Sequence, residues 1–376
     1  MNTIDIGLCG YGFIGKMHAL AYKTMGITTP GDVSPRMRTL CSSSVLESDD
    51  FEVVTSDFAD IIDDAQISLV DICTPDFLHY EQAMLALEKR KNLYLEKPIA
   101  QTLEQAKIIA QTAHRLGVIN QTALVMRFQP KVAAARDIIK NGDLGEIINF
   151  KAKIFNNAYL NPNRQVNWRL SGDKAAGGSL MDTGVHVADL VRFLLGEVAE
   201  VSCRTSIQFK ERFTDDNRTE KIEMTNDEWS FMNLTLVSGV QGELETSRIA
   251  AGVTPRNYFE IYGTNGYMYI DLLSNGFLRI YRYDLGKEFT GPIPPASDYA
   301  RHLAVIHPKP MFDLGTMVDT HSASAMNVLY NINAGCVVMD ETPTLWEAYL
   351  SQSIVEMGYQ SAKDGGRVVE RDEIVG

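Results

Sequence analysis

One stretch constrains the fold of this chain more than any other. Gly10-Tyr11-Gly12-Phe13-Ile14-Gly15 is set between the strand-like run Ile4–Cys9 and the helix-period segment Ile14–Met25. Placed there, the three glycines have separate duties. Gly10 permits a tight turn, Gly12 lets backbone approach a pyrophosphate, and Gly15 allows helix and strand to pack closely. The helix start, with Phe13 and Ile14, turns backbone N–H groups and partial positive charge toward the same phosphates. The turn suits a dinucleotide.

The next segments extend the pattern. Met37–Ser42, Ser68–Thr74, Asn92–Leu95 and Asn120–Met126 read as strands, with helices at His79–Arg90 and Leu103–Leu116. Such alternation predicts a doubly wound parallel sheet with helices on both faces. Cys9, Cys41 and Cys73 recur at equal spacing, each closing a strand, which suggests neighbouring parallel strands with thiols filling small sites near their ends. No Cys-x-x-Cys pair or His-rich cluster accompanies the five cysteines, so no metal is expected.

After Arg127 the rhythm changes. A helix near Val132–Lys140 leads to strands at Glu146–Phe155, Glu200–Phe209, Trp229–Val237, Val240–Ile249, Phe259–Tyr262 and Tyr267–Leu272, several joined by hairpin signals. Between them lie a polar loop, Tyr159–Gly178, and a long helix, Leu180–Leu195; helices Gly315–Met339 and Thr344–Lys363 close the chain. The expected second domain is α+β with a large, mainly antiparallel open sheet whose outer face is a candidate surface for a homodimer or tetramer. At 376 residues two domains are expected, a dinucleotide-binding one at 1–126 and a substrate-binding and oligomerisation one at 127–376. Thirty-five basic residues against 48 acidic ones give a net charge of −13, which disfavours nucleic acid and anionic membranes as partners. The start lacks a basic n-region and a long apolar stretch, so a soluble, cytoplasmic protein is expected.

The second strand decides the form of the cofactor. A ribose without a 2′-phosphate normally meets Asp or Glu at that strand's end. Here Ser42-Ser43-Ser44 stand there, with no carboxylate to repel a phosphate and hydroxyls to bind one. The reading is NAD(P), leaning to NADP, although Arg36 and Arg38 precede the strand end rather than follow it.

Three further segments carry polar groups. Thr74-Pro75 and His79 follow a strand at the carboxyl edge, where ligands of such sheets bind. His79 reads equally well as a helix-start residue facing solvent. Glu96-Lys97-Pro98 ends another strand, and an ammonium at Lys97 would lower the pKa of an alcohol. Gly177-Gly178 precede Asp182, His186 and Asp189, spaced i, i+4 and a further i+3, which predicts one shared helix face. A polar stripe on an otherwise apolar helix costs stability unless it meets a ligand or partner.

Together these residues resemble the Gfo/Idh/MocA family, the glucose–fructose oxidoreductases, inositol dehydrogenases and their relatives. The resemblance rests on Gly10–Gly15 with His18, Thr74-Pro75 and His79, Glu96-Lys97-Pro98, Arg127-Phe128 with Pro130, and Gly177-Gly178 with Asp182 and His186, in order across most of the chain. It implies a Rossmann domain followed by an α/β domain whose open sheet mediates oligomerisation. It also implies catalytic roles for Lys97 and His186, with Asp182 placing substrate and imidazole. The expected chemistry is hydride transfer between a nicotinamide and a hydroxyl carbon of a sugar or cyclitol such as myo-inositol. His186 would be the general base, near pKa ~6.5, and Lys97 the cation beside the developing alkoxide. Arg127, Tyr159, Trp168 and Arg169 are candidate pocket liners. The serine run departs from relatives that carry an acid there. Two rival readings are a non-catalytic metabolite sensor and an NAD-assisted glycosidase.

Overall fold

The computed structural model describes residues 2–29, 31–45, 47–215, 217–252 and 257–375. Close packing divides the chain into two compact units, Met1–Ala133 with Pro295–Tyr349, and Ala134–Pro294 with Leu350–Gly376. The single cut expected after Met126 therefore does not follow the packing, because Pro295–Tyr349 returns to the first unit.

The first unit opens with strand β1 (Asn2–Cys9), helix α1 (Phe13–Thr28), strands β2 (Val33–Cys41) and β3 (Val53–Thr55), helix α2 (Ala59–Ile62) and strand β4 (Leu69–Ile72). Helix α3 (His79–Glu88), strand β5 (Asn92–Leu95), helix α4 (Leu103–Leu116) and strand β6 (Asn120–Thr122) complete the sheet. Its strands are all parallel, in the order β3-β2-β1-β4-β5-β6, so the topological switch lies between β1 and β4. Local chemistry sets the element ends. Thr102 and Gln105 form a capping box at the start of α4, and Gly117 ends it in the left-handed conformation at φ 65°. Cys9 pairs with Cys41 across β1 and β2, and the Cys73 N–H donates to the Cys9 carbonyl at 2.7 Å, so the three thiols do line neighbouring strand ends. The strand expected over Asn120–Met126 stops at Thr122, where its pairing with β5 ends, and Val125–Phe128 turns into a 3-10 segment.

The second unit carries the rest of helix α5 (Pro130–Lys140), strand β7 (Ile147–Phe155), helix α6 (Val185–Leu195) and strand β8 (Val198–Ser206). A small hairpin, β9 (Glu211–Phe213) and β10 (Lys221–Glu223), interrupts the sheet where the sequence shows no clear pattern. Strands β11 (Trp229–Leu236), β12 (Gln241–Ser247), β13 (Tyr258–Gly263), β14 (Gly266–Asp271), β15 (Arg279–Arg282) and β16 (Lys287–Thr290) follow. Helices α7 (Asp298–Ile306) and α8 (Thr316–Ala334) belong to the first unit. Helix α9 (Leu345–Lys363) and strand β17 (Val369–Glu370) end the second sheet, ordered β16-β15-β14-β13-β7-β12-β11-β8-β17. Only the β7–β12 pair is parallel; the others are antiparallel, as expected for a mainly antiparallel sheet. Phe150, Ala152 and Ile154 of β7 are buried, whereas the alternating Lys151 is exposed and Lys153 half-buried. Among the described residues no helix is long and apolar enough to cross a membrane.

Candidate active site

The glycine turn has the geometry its sequence demands. Gly10 sits at φ 92°, a conformation that side chains strain against. A Cβ on Gly15 would run into the Gly10 carbonyl oxygen, so this glycine serves packing of α1 on the turn. Gly12 differs. A Cβ there would meet no protein atom within 4 Å, and both Gly12 and Phe13 are exposed, so the open side of the turn is kept clear for something other than protein. With no acid in the first turn of the sixteen-residue α1, the helix start presents uncompensated N–H groups there. These features fit a dinucleotide pyrophosphate.

Behind the turn lies a buried ionic network. His18 on α1 is 1% exposed; its Nδ1 lies 2.9 Å from Asp71 Oδ2, and its Nε2 lies 3.2 Å from Glu96 Oε1. An imidazole facing carboxylates at both nitrogens satisfies them only as imidazolium, donating both N–H groups. Burial is the largest single influence and opposes that charge, but the charge and hydrogen bond of Asp71, with Cys73 beside it, together hold the His18 pKa well above the ordinary value. Burial raises Glu96 in turn, yet the His18 hydrogen bond and charge, with Lys97, bring it down to about 2. The second Glu96 oxygen accepts the backbone N–H of Lys97 at 3.1 Å, and Lys97 itself is half-buried just beyond β5. Tyr22 donates to Asp71 at 2.7 Å, Tyr94 stacks on His18, and His321 lies near it, pushed down to about 4 by burial and the His18 charge.

His18, Glu96 and His321 bring potential metal ligands within 4.8 Å of one another, as do His18, Asp71 and Cys73. Both sets share His18, whose two nitrogens already face carboxylates. The contacts of His18 are those of an ion-pair network.

Other expected cofactor residues have structural duties. The ring nitrogens of His79 lie 2.8 Å from the Pro98 carbonyl and 2.9 Å from the Thr74 carbonyl, tying together the two loops at the sheet edge. The Thr74 hydroxyl donates to Gln82 at 2.6 Å, and Pro75 precedes a short 3-10 turn. Ser42 is buried, and its oxygen accepts the N–H groups of Ser44 and Val45, so only Ser43 and Ser44 remain exposed. Arg127 is 2% exposed and pairs with Glu347 at 3.1 Å within the first unit. A buried guanidinium needs a carboxylate, and Glu347 supplies one.

In the second unit, Leu180–Gly184 is a π-helical turn that passes into α6. The wider turn breaks α-helical spacing, so Asp182 and His186 are half-buried on either side of the junction. Asp189 is fully buried and accepts from Ser351 at 3.0 Å, which removes it from the expected shared face. Asp227, a residue without a local sequence signal, fixes the start of this segment. Its carboxylate accepts from Gly178 N–H at 3.1 Å, Leu180 N–H at 2.9 Å and the Tyr359 hydroxyl at 2.7 Å. Side chains at Gly177 or Gly178 would collide with Tyr359 or Asp227, which explains the paired glycines. Trp168 and Arg169 lie on a half-buried 3-10 turn with the guanidinium 4.2 Å from the indole centre, and Tyr159 is buried beside Leu170 and Met224.

Comparison with known proteins agrees with this geometry. Residues 4–124 match the oxidoreductase family with an NAD-binding Rossmann fold, and residues 132–269 match the GFO/IDH/MocA C-terminal domain. Levoglucosan dehydrogenase of Pseudarthrobacter phenanthrenivorans is 31% identical over 284 residues, covering 71% of this chain and 73% of that protein. The scyllo-inositol 2-dehydrogenase (NAD(+)) of Bacillus subtilis is 26% identical over 295 residues, covering 74% and 77%. A solved structure of levoglucosan dehydrogenase with NADH and levoglucosan matches with a TM-score of 0.87 at 28% identity, covering 98% of this chain and 99% of that one. The chain belongs to the Gfo/Idh/MocA family and is an oxidoreductase with an NAD-binding Rossmann domain.

Proposed function

We propose that this chain interconverts a secondary alcohol of a sugar or cyclitol with the corresponding ketone, using NAD(P) as the hydride partner. The observation that carries the reading is the placement of Lys97. It follows β5 at the carboxyl edge of the sheet that also bears the open glycine turn, with its backbone held by the buried Glu96. A bound nicotinamide supplies the hydride acceptor, and the protein supplies proton handling and orientation. On this reading His186 takes the hydroxyl proton on a ring nitrogen, and the Lys97 ammonium stabilises the alkoxide as it develops. Asp182 orients substrate and imidazole.

The cofactor form turns on β2. The serine run offers the hydroxyls of Ser43 and Ser44 to a 2′-phosphate, the basis of the lean to NADP. Arg36 and Arg38, however, lie five and three residues before Cys41, about 16 and 10 Å back along the strand. Arg36 pairs with Asp5 and Glu52, and Arg38 pairs with Asp64 and Glu52. With neither arginine at the edge, we read the chain as accepting both cofactors, NAD better than NADP. The outer sheet face, with Lys151–Glu243 and Lys153–Glu245 pairs beside stacked Tyr258 and Tyr269, suits a second copy of the chain. A cytoplasmic location accords with this small-molecule chemistry.

A panel of sugars and cyclitols with each cofactor, followed by absorbance of the reduced nicotinamide, tests the reading. The expected result is turnover of at least one alcohol with kcat/KM for NAD above that for NADP. Tight cofactor binding without turnover would instead support a sensor. Glycoside hydrolysis without net cofactor reduction would support the glycosidase.

A further inference from the structure

Among the described residues the second unit buries three arginines, Arg192, Arg212 and Arg248; Glu197 pairs with the first and Glu228 with the second, and the third makes no ion pair. Arg212 is 0% exposed and donates through Nη2 to Glu228 at 2.7 Å and the Tyr159 carbonyl at 2.6 Å, and through Nη1 to the Asn161 carbonyl at 2.8 Å. Arg248, just after β12, is 1% exposed, and among the described residues its side chain makes a single long hydrogen bond, from Nη1 to the Arg169 carbonyl at 3.4 Å. Its Nε and Nη2 are buried with no acceptor among the described residues.

Those two nitrogens share one edge of the guanidinium. Their N–H bonds run parallel, the fork that receives two oxygens of a carboxylate or phosphate side by side. Burying such donors unmatched costs stability, so the fold gains nothing from leaving this edge open. Burial raises the Asp227 carboxyl while the Arg248 charge is among the groups that lower it, yet the Asp227 oxygens already accept Gly178 N–H, Leu180 N–H and the Tyr359 hydroxyl. The surroundings are cationic as well. The Arg248 and Arg164 guanidinium groups lie 4.9 and 4.8 Å from the Tyr159 ring centre, and Arg169 covers Trp168. The Arg248 charge acts on Asp227, whose carboxylate holds the backbone that leads into Asp182 and His186.

We infer that Arg248 is a substrate-binding residue, and that the sugar or cyclitol carries an oxyanion, a carboxylate or a phosphate, received by its Nε–Nη2 edge. This rests on the oxidoreductase reading above and narrows its substrate class.

The test compares wild type with Arg248→Met and Arg248→Lys in the full chain. Probes are D-gluconate and D-galacturonate for carboxylates, D-glucose 6-phosphate for phosphate, and D-glucose and myo-inositol as neutral controls. In wild type one anionic arm should exceed the neutral arms in kcat/KM by about 100-fold, as a bidentate charged hydrogen bond implies. Arg248→Met should abolish that preference mainly through KM. Arg248→Lys, which keeps the charge and loses the fork, should recover little of it. The thermal midpoint of Arg248→Met should not fall, since an unmatched buried cation is removed. Thermal stabilisation by gluconate or glucose 6-phosphate, lost in Arg248→Met, reads binding independently of turnover. No cofactor reduction in any arm with intact anion binding would sink the oxidoreductase reading and leave this one standing. A wild type that prefers neutral probes, or an Arg248→Met that keeps anion binding and loses stability, would overturn the inference.

Discussion

In the Rossmann unit the buried imidazolium of His18 meets a carboxylate at each ring nitrogen. In the second unit the buried guanidinium of Arg248 leaves Nε and Nη2 without an acceptor among the described residues. Both charges are desolvated to a similar degree, so their difference lies in what each must recognise. A dinucleotide is held largely by backbone, through a glycine turn and a helix start, and the charges behind that turn can be satisfied entirely by protein. A sugar offers few such backbone handles, so the substrate half keeps side-chain donors in reserve. The first arrangement stabilises the fold; the second lowers stability in favour of recognition.

The comparison breaks most sharply at Gly15. Gly15→Val places branched carbon against the Gly10 carbonyl and should abolish measurable dinucleotide binding by fluorescence titration. A variant that folds and still binds NAD normally would show that the turn is not the pyrophosphate cradle. A smaller effect is expected at Glu96→Gln, which removes one partner of the His18 imidazolium while Asp71 remains. The loss of stability should be about 2 kcal/mol near neutral pH. The sign follows from Glu96, whose folded value of about 2 lies below the ordinary carboxylate value. Its contribution is complete above that ordinary value, pH ~4.5, and is lost as pH falls through about 2. The gap between wild-type and variant thermal midpoints should therefore stay constant from pH ~4.5 to neutral pH, where His18 is still charged, and close toward about 2. A gap that widens with acid would mean that Glu96 is not held as an anion.

The same contrast explains what the sequence made legible. Helix α4 and strand β5 have the bounds read from pattern alone, because a capping box, a terminal glycine and apolar runs are local signals. The glycine turn is equally local. The π-turn before α6 is not, since its Leu180–Gly184 backbone depends on Asp227, 45 residues beyond Asp182 in the chain. Strand β3 has three residues and pairs only at the sheet edge, too short for a pattern to emerge. The pairing of Arg127 with Glu347 leaves no local signal, because the two lie 220 residues apart. The pairing of Arg212 with Glu228 and the open edge of Arg248 were hidden for the same reason: buried ion pairs are made by the tertiary fold and leave no period in the sequence.

The central claim is that Lys97 and His186 act on one substrate hydroxyl while a bound nicotinamide takes the hydride. The most direct measurement is kcat for reduced-nicotinamide formation by wild type, Lys97→Ala and His186→Ala, with cofactor affinity measured in parallel. Each substitution should lower kcat by about 100-fold or more with cofactor affinity near wild type. Wild-type turnover in either variant would contradict the account.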